Sequence, residues 1–137
     1  MFKIDSRKII VALALLAISS KQAHADIVHG TTTLAPAANA VFAAGVVTLS
    51  ANTTVSASVH PYQYTATLTY YKDDVYQSSV STLAYLTATT TNRPVSITTQ
   101  PNLAIGSYSY NFRALGIDDV TDEYINVFWP SRSFTVQ

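Results

Sequence analysis

After residue 45, apolar and polar side chains alternate along the chain with a period of two residues. The clearest stretch is residues 107–115, where Tyr108, Tyr110, Phe112 and Ala114 recur at every second position. A period of two places successive side chains on opposite faces of a β-strand, so that one face is buried and the other is exposed. The same alternation predicts strands at residues 47–49, 55–59, 64–70, 75–81, 95–97 and 134–136.

Turn-forming residues separate these segments. The predicted turns are Ala51-Asn52, His60-Pro61, Lys72-Asp73-Asp74 and Pro101-Asn102. Proline marks two of them, because it has no N–H to donate to a strand ladder. After residue 25, no segment carries an apolar stripe with the helical period of about 3.6 residues. The pattern therefore predicts an all-β protein, an antiparallel two-sheet sandwich of seven to eight strands.

Residues 1–25 have the three parts of a secretory signal peptide. Lys3, Arg7 and Lys8 are basic, residues 9–18 are uninterruptedly apolar, and Ala23-His24-Ala25 is a small-x-small cleavage site. An apolar helix of this length covers about 15 Å, roughly half of a hydrocarbon core, and is too short for a membrane anchor. The pattern predicts cleavage at this site and export by a bacterium, with no membrane span afterwards. The expected location is the periplasm, the cell surface or the medium.

Removal of the signal peptide changes the charge of the chain. Four basic and seven acidic side chains remain, which gives a net charge of −3. Four scattered positive charges cannot follow a phosphate backbone, so we do not expect nucleic-acid binding. The chain has no cysteine, which excludes disulfide bonds, a thiolate metal site and lipid attachment through an N-terminal cysteine. The sequence implies no cofactor.

Residues 26–45 differ from the rest of the chain. They are rich in Ala and Thr, contain Pro36, and show no sustained period. The segment Ile27 to Leu34 is the better candidate for a first strand, and the remainder is typical of a linker. We therefore predict an N-terminal arm or first strand over residues 26–45, followed by a single domain over residues 46–137.

The segment LAIGSYSY at residues 103–110 resembles the entry to strand F of fibronectin type III domains and related bacterial immunoglobulin-like (Ig-like) modules. Leu103, Gly106 and Tyr108 match that pattern, while Ile105 stands where proline is usual. In those modules the tyrosine hydroxyl bonds to backbone a few residues upstream, and the resemblance implies the same for Tyr108.

The resemblance covers residues 46–137 and implies an Ig-like sandwich. Residues 70–74 resemble the hairpin after strand C, and residues 134–136 resemble the last strand of such modules. The chain departs from antibody domains because it lacks their cysteine pair and the tryptophan of strand C. Since this architecture serves many functions, the resemblance implies no particular one.

Residues 116–130 are predicted to form a long loop between the last two strands, acidic in its first half and aromatic in its second. Long loops on a rigid sandwich are common binding surfaces. The candidate partner-binding residues are Asp118, Asp119, Asp122, Glu123, Tyr124, Phe128 and Trp129. Each half of the segment also has another interpretation. The acidic half could instead be a solvated loop or a Ca²⁺ site. In the aromatic half, Ile125, Val127 and Trp129 could instead fold back to cap the core.

The leading hypothesis is an exported, non-catalytic module that binds another protein. Neither His29 nor His60 lies in a catalytic motif, and we predict that the chain is not an enzyme. One alternative is a subunit of a surface filament that donates residues 26–45 as a strand. Another is a carbohydrate-binding accessory module. Its surface tyrosines would be Tyr62, Tyr71, Tyr76, Tyr85 and Tyr124. The sequence leaves self-association open.

Overall fold

A computed structural model describes residues 26–137, so the predicted signal peptide lies outside the described residues. Residues 26–137 form twelve strands and no helix, which confirms the all-β prediction. The strands are β1 (Ile27–His29), β2 (Thr33–Ala35), β3 (Ala40–Phe42), β4 (Gly45–Val46), β5 (Leu49–Ala57), β6 (Tyr62–Lys72), β7 (Val75–Leu86), β8 (Arg93–Thr99), β9 (Asn102–Leu103), β10 (Gly106–Asp118), β11 (Tyr124–Phe128) and β12 (Arg132–Val136). No helix in this part of the chain could cross a membrane.

The strands form two main sheets. In the smaller sheet, β5 is central, with β8 along one edge and β1 and β2 along successive parts of the other. The larger sheet has the order β3-β12-β10-β6-β7. Strand β11 pairs with β10 beyond β12, on the edge that β6 does not occupy. Strand β3 is parallel to β12, the other pairs are antiparallel, and β4 and β9 form a separate two-stranded sheet.

The strand count exceeds the predicted seven to eight because two edges are broken into shorter pieces and because β3, β4 and β9 are additional short strands. Strands β11 and β12 together follow one edge of β10, interrupted at Pro130, which cannot donate to the ladder. Strands β1 and β2 follow one edge of β5 in the same way. At each break a few residues are not part of a strand, and the next strand then pairs with another part of the same partner strand.

The buried side chains of the two sheets belong to one hydrophobic core, which is consistent with a β-sandwich. Tyr108, Tyr110, Phe112 and Ala114 of β10 are all buried, as their alternation predicted. On the buried face of β6, Leu68 and Ala66 lie opposite Phe112 and Ala114, and Tyr64 and Tyr62 continue the same face.

Two of the predicted turns have opposite outcomes. The hairpin turn after Lys72 is confirmed, since Asp73 and Asp74 both have positive φ (48° and 63°) between β6 and β7, as a type I′ turn requires. The turn predicted at Ala51-Asn52 is wrong, because β5 continues through it. Ala51 is buried and Asn52 is exposed, so the alternation of β5 is unbroken there.

Residues 26–46 contribute strands to both main sheets. Strands β1 and β2 pair with β5, and β3 pairs with β12. Two side chains of the larger sheet bind the backbone between β1 and β3: the Tyr110 hydroxyl donates to the Pro36 carbonyl, and the Arg132 Nη1 donates to the Leu34 carbonyl at 2.9 Å. This segment is therefore paired within its own chain, although its sequence has no strand-like period.

The loop predicted over residues 116–130 is wrong. Strand β10 continues to Asp118, and the chain returns as β11 through the short connection at residues 119–123. Gly116 permits this continuation, because a Cβ at that position would lie 2.4 Å from the Ile27 Cδ1. The segment is a β-hairpin, so its side chains are presented by the two faces of a sheet.

Candidate functional site

The outer face of the larger sheet carries a cluster of exposed apolar side chains at one end. On β7 and β10 these residues alternate with buried ones, and on β11 with half-buried ones, so they point away from the core. We call this cluster the outer-face patch. It consists of the exposed Leu83, Tyr85, Ile117, Tyr124 and Phe128 and of the half-buried Leu115.

Strand register places these side chains in adjacent rows across four strands. The first row pairs Tyr124 with Ile117, and Gln63 lies between Ile117 and Tyr85. The second row contains Leu115, Thr65 and Leu83.

A third row completes the patch, with Phe128 beside Arg113. Four strands about 4.8 Å apart span roughly 14 Å from outermost strand to outermost strand. The six apolar side chains therefore lie within one surface region.

The exposed apolar residues of the patch are unusual because they lie together on one face of the sheet. Tyr124, Phe128 and Tyr85 are 69%, 67% and 63% exposed, and Leu83 is 56% exposed. Single exposed apolar residues are ordinary on protein surfaces, whereas a contiguous patch marks an interaction site. The pairing of four strands fixes the backbone beneath the patch, so it is presented on a rigid support.

The polar groups within these rows are mostly uncharged. Gln63, Thr65 and Thr67 lie along β6 at the centre of the face, and Arg113 is the one ionic side chain in the three rows. The Thr67 hydroxyl is hydrogen bonded to that of Ser81 at 2.9 Å. Apolar groups around neutral donors and acceptors suit the recognition of a complementary surface.

Asp118, one of the predicted binding residues, is buried inside the hairpin. Its Oδ2 lies 2.7 Å from the His60 Nδ1, and its Oδ1 accepts hydrogen bonds from the backbone N–H groups of Val120 and Thr121. Burial acts to raise the pKa of Asp118, but these hydrogen bonds prevail and lower the pKa to about 2. The carboxylate therefore organises the turn between β10 and β11.

The Tyr62 hydroxyl also faces this carboxylate. Burial first, and then the nearby charges of Asp26 and Asp118, raise the pKa of Tyr62 to about 12. Tyr62 is only 1% exposed, so its prediction as a surface tyrosine is wrong. It shares the inward face of β6 with Tyr64, because the alternation of that strand begins two residues earlier than the sequence indicated.

The other acidic residues are at the surface. Asp119, Asp122 and Glu123 are exposed in the β10–β11 turn, beside the patch residue Tyr124. Within residues 26–137 no group of three or more His, Cys, Asp or Glu side chains is arranged to hold a metal ion.

Trp129 is placed differently from the other two aromatic candidates. Its ring centroid lies 4.5 Å from that of Phe112 and 5.0 Å from that of His29, and its side chain is half-buried. His29 in turn bonds to the Tyr64 hydroxyl at 2.8 Å, and burial lowers its pKa. Trp129 thus packs against the core, the capping arrangement that the sequence left open.

The remaining surface tyrosines fall into two places. Tyr71 and Tyr76 contact each other edge to face at the hairpin end of β6 and β7, with ring centroids 6.3 Å apart. Tyr85 and Tyr124 belong to the outer-face patch.

Sequence reasoning missed three members of the patch, Leu83, Leu115 and Ile117. The available signal was that the outward positions of β10 change from polar to apolar after Arg113. This change can be recognised only when residues 116–118 are assigned to the strand, because Ile117 then lies on the same outward face as Leu115.

Comparison with models of known protein families and with curated proteins finds no match for this chain.

Proposed function

We propose that this chain is an exported, non-catalytic Ig-like module that binds another protein through the outer-face patch. The observation that carries the proposal is that Tyr85, Leu83, Tyr124 and Phe128, all more than half exposed, lie on one face of four paired strands. Burying such side chains against a partner contributes about 25 cal/mol per Å² of apolar surface. Aromatic residues are also the usual anchors of protein interfaces.

Two features support the Ig-like part of the proposal. The Tyr108 hydroxyl donates to the Ala104 carbonyl at 2.8 Å, which is the bond that the family resemblance implied. The sheets, with β5 and β8 in one and β12, β10, β6 and β7 in order in the other, also fit two antiparallel layers of such a module.

Partner capture with paired variants tests the proposal. The patch variant combines Leu83→Ser and Tyr124→Ser, and the control combines Val46→Ser and Ile105→Ser, which remove exposed apolar side chains elsewhere. Each exported protein is immobilised and exposed to an extract of its own compartment, and bound proteins are crosslinked and identified. We expect a specific protein that the wild type and the control capture and the patch variant does not.

Equal capture by all three proteins would contradict a role for the patch. Circular dichroism and urea unfolding of each variant show whether the fold is retained, so that lost capture is not confused with lost structure. A protein captured only through another surface would overturn the assignment of the site.

The row of Tyr124, Ile117, Gln63 and Tyr85 favours carbohydrate as a second candidate ligand. Two aromatic rings flanking an amide can stack on sugar rings and bond to their hydroxyls. Retention of the exported protein on insoluble polysaccharides, lost on Tyr85→Ala with Tyr124→Ala, would favour this alternative. The Tyr71→Ala variant is the matched control, because its ring lies at the far end of the sheet.

A further inference from the structure

Strand β7 leaves one long edge of the larger sheet open. Within the described residues it pairs only with β6, over the whole of Val75–Leu86. An unpaired strand edge presents backbone N–H and C=O groups on which another strand can pair.

A contact with the other sheet shows which backbone groups face that edge. Arg93 of β8 donates from its Nη1 to the Tyr85 carbonyl at 2.7 Å, so this carbonyl is turned away from β6. Alternate residues of a strand direct their backbone groups to the same edge. Ser79, Ser81 and Leu83 therefore present their N–H and C=O groups outward.

The side chains of β6 and β7 indicate independently that the same residues of β7 direct their backbone groups away from β6. The hydroxyls of Ser81 and Thr67 are 2.9 Å apart, as are those of Ser79 and Thr69. In an antiparallel pair, side chains approach most closely at residue pairs that do not exchange backbone hydrogen bonds. The backbone groups of Ser79 and Ser81 are thus free of β6.

Between the irregularity at Gln77 and the contact of Arg93 with Tyr85, this edge lacks the features by which proteins usually prevent strand addition. Residues 75–86 contain no charged residue and no proline. An irregularity of register beside Tyr70 and Tyr71 disturbs only the beginning of β7, at Gln77, and residues 78–86 pair regularly with β6.

We propose that β7 pairs antiparallel with β7 of a second copy of this chain, around a two-fold axis at Ser81. Ser81 then lies opposite Ser81 of the other copy, and Ser79 lies opposite Leu83. Each of these opposed pairs exchanges two backbone hydrogen bonds. Arg93 closes the edge at Tyr85, opposite the Gln77 irregularity of the other copy, so pairing ends there on both sides.

The second copy is favoured as the occupant by charge and by symmetry. Two identical strands without charge meet with no like-charge repulsion, which would otherwise oppose self-pairing. Residues 79 and 83 are also equally distant from Ser81, so Ser79 of each copy meets Leu83 of the other, and the contact repeats about the axis as a two-fold interface requires.

Charge substitution at the axis tests the pairing. Because Ser81 lies opposite itself, Ser81→Lys places two ammonium groups together in the dimer, and Ser81→Glu places two carboxylates together. A mixture of the two variants places opposite charges there instead. Sedimentation equilibrium of the exported full-length products measures self-association of wild type, each variant and the mixture.

We expect a dimer for the wild type and weakening by roughly tenfold or more for each variant alone, a ratio equivalent to about 1.4 kcal/mol. The mixture should recover the dimer. The control is Ser96→Lys, an exposed serine on β8, the edge strand of the other sheet, and it should associate as the wild type does.

Three results would overturn the proposal. The first is a wild-type protein that stays monomeric at millimolar concentration. This result would overturn the proposal even if the edge of β7 binds a different protein. The second is a dimer that both charge variants leave unchanged. The third is a dimer lost in both variants that the mixture does not restore.

Discussion

The Trp129 ring packs against the Phe112 ring at a centroid distance of 4.5 Å, tilted by 35°. Phe112 is fully buried at the middle of β10, and the backbone N–H of Trp129 donates to the Phe112 carbonyl at 3.1 Å. The two residues are therefore joined by side chain and by backbone where β11 ends. This relationship ties the hairpin that carries part of the outer-face patch to the core.

Trp129→Ala should destabilise the protein by about 3 kcal/mol, because a packed aromatic ring is removed and its space is left unfilled. Tyr124→Ala is the matched comparison and should cost under ~1 kcal/mol, since its side chain is largely exposed. Urea unfolding measures both. A change under ~1 kcal/mol for Trp129→Ala would contradict a role for this ring in the core.

Tyr108→Phe should lower the free energy of unfolding by about 1 kcal/mol, the usual size for a lost hydrogen bond of a buried hydroxyl. The bond in question joins the Tyr108 hydroxyl to the Ala104 carbonyl. Tyr76→Phe, at an exposed position, is the control and should be neutral. A neutral result for Tyr108→Phe would show that the bond contributes nothing to stability.

Asp118 makes stability depend on pH in the acidic range. Its folded-state pKa of about 2 lies below the ordinary value of 3.8, so the unfolded chain takes up the proton first as the pH falls. The contribution of the carboxylate is complete well above pH 3.8 and is lost between that pH and about 2. Urea unfolding across this range should show the decline.

Asp118→Asn should remove this part of the decline and should lower stability at neutral pH by about 1–3 kcal/mol, because charge-assisted bonds to His60 and two N–H groups are weakened. Asp119→Asn, in the exposed turn, should retain the wild-type profile. A parallel pH profile for Asp118→Asn and wild type would contradict the role of this carboxylate.

Gly116→Ala should cost about 1 kcal/mol, the lower end for overpacking, because the added Cβ must displace the Ile27 Cδ1 at the end of its side chain. Ile27→Val removes that methyl group, so the double variant should be less destabilised than the sum of the two single variants. Strictly additive effects in urea unfolding would mean that the close approach of β1 to β10 is not what the glycine accommodates.

The signal peptide is expected to be cleaved between Ala25 and Asp26 because small residues occupy both recognition positions. Intact-mass measurement of the exported protein should give a chain that begins at Asp26. A product that still contains residues 1–25 would refute the prediction.

Strands with strong alternation could be predicted from sequence. The buried face of β10 and the hairpin after Lys72 follow from residue pattern and turn chemistry alone. Strand β1 lies within the segment Ile27 to Leu34 that the sequence favoured as a first strand. The division into β1, β2 and β3 could not be predicted in this way, because each has only three residues and is defined by its pairing with a distant strand.

The site was only partly predictable for a related reason. Tyr124 and Phe128 were identified by their aromatic character, but in a loop, which separates them from any neighbour on another strand. Leu83 and Tyr85 lie far from them in sequence and become neighbours only through the register of β7, β6 and β10. A surface assembled from four strands cannot be read from any one of them.

The pairing of β3 with β12 has a consequence for when the protein can fold. Phe42 is aligned with Val136, and the Gln137 N–H donates to the Phe42 carbonyl, so β3 gains its partner only after residue 136 has been synthesised. Contacts between such distant parts of a chain form slowly, because a long loop must close first. Strands β6 and β10 are synthesised earlier, so this edge of the larger sheet is completed after its centre.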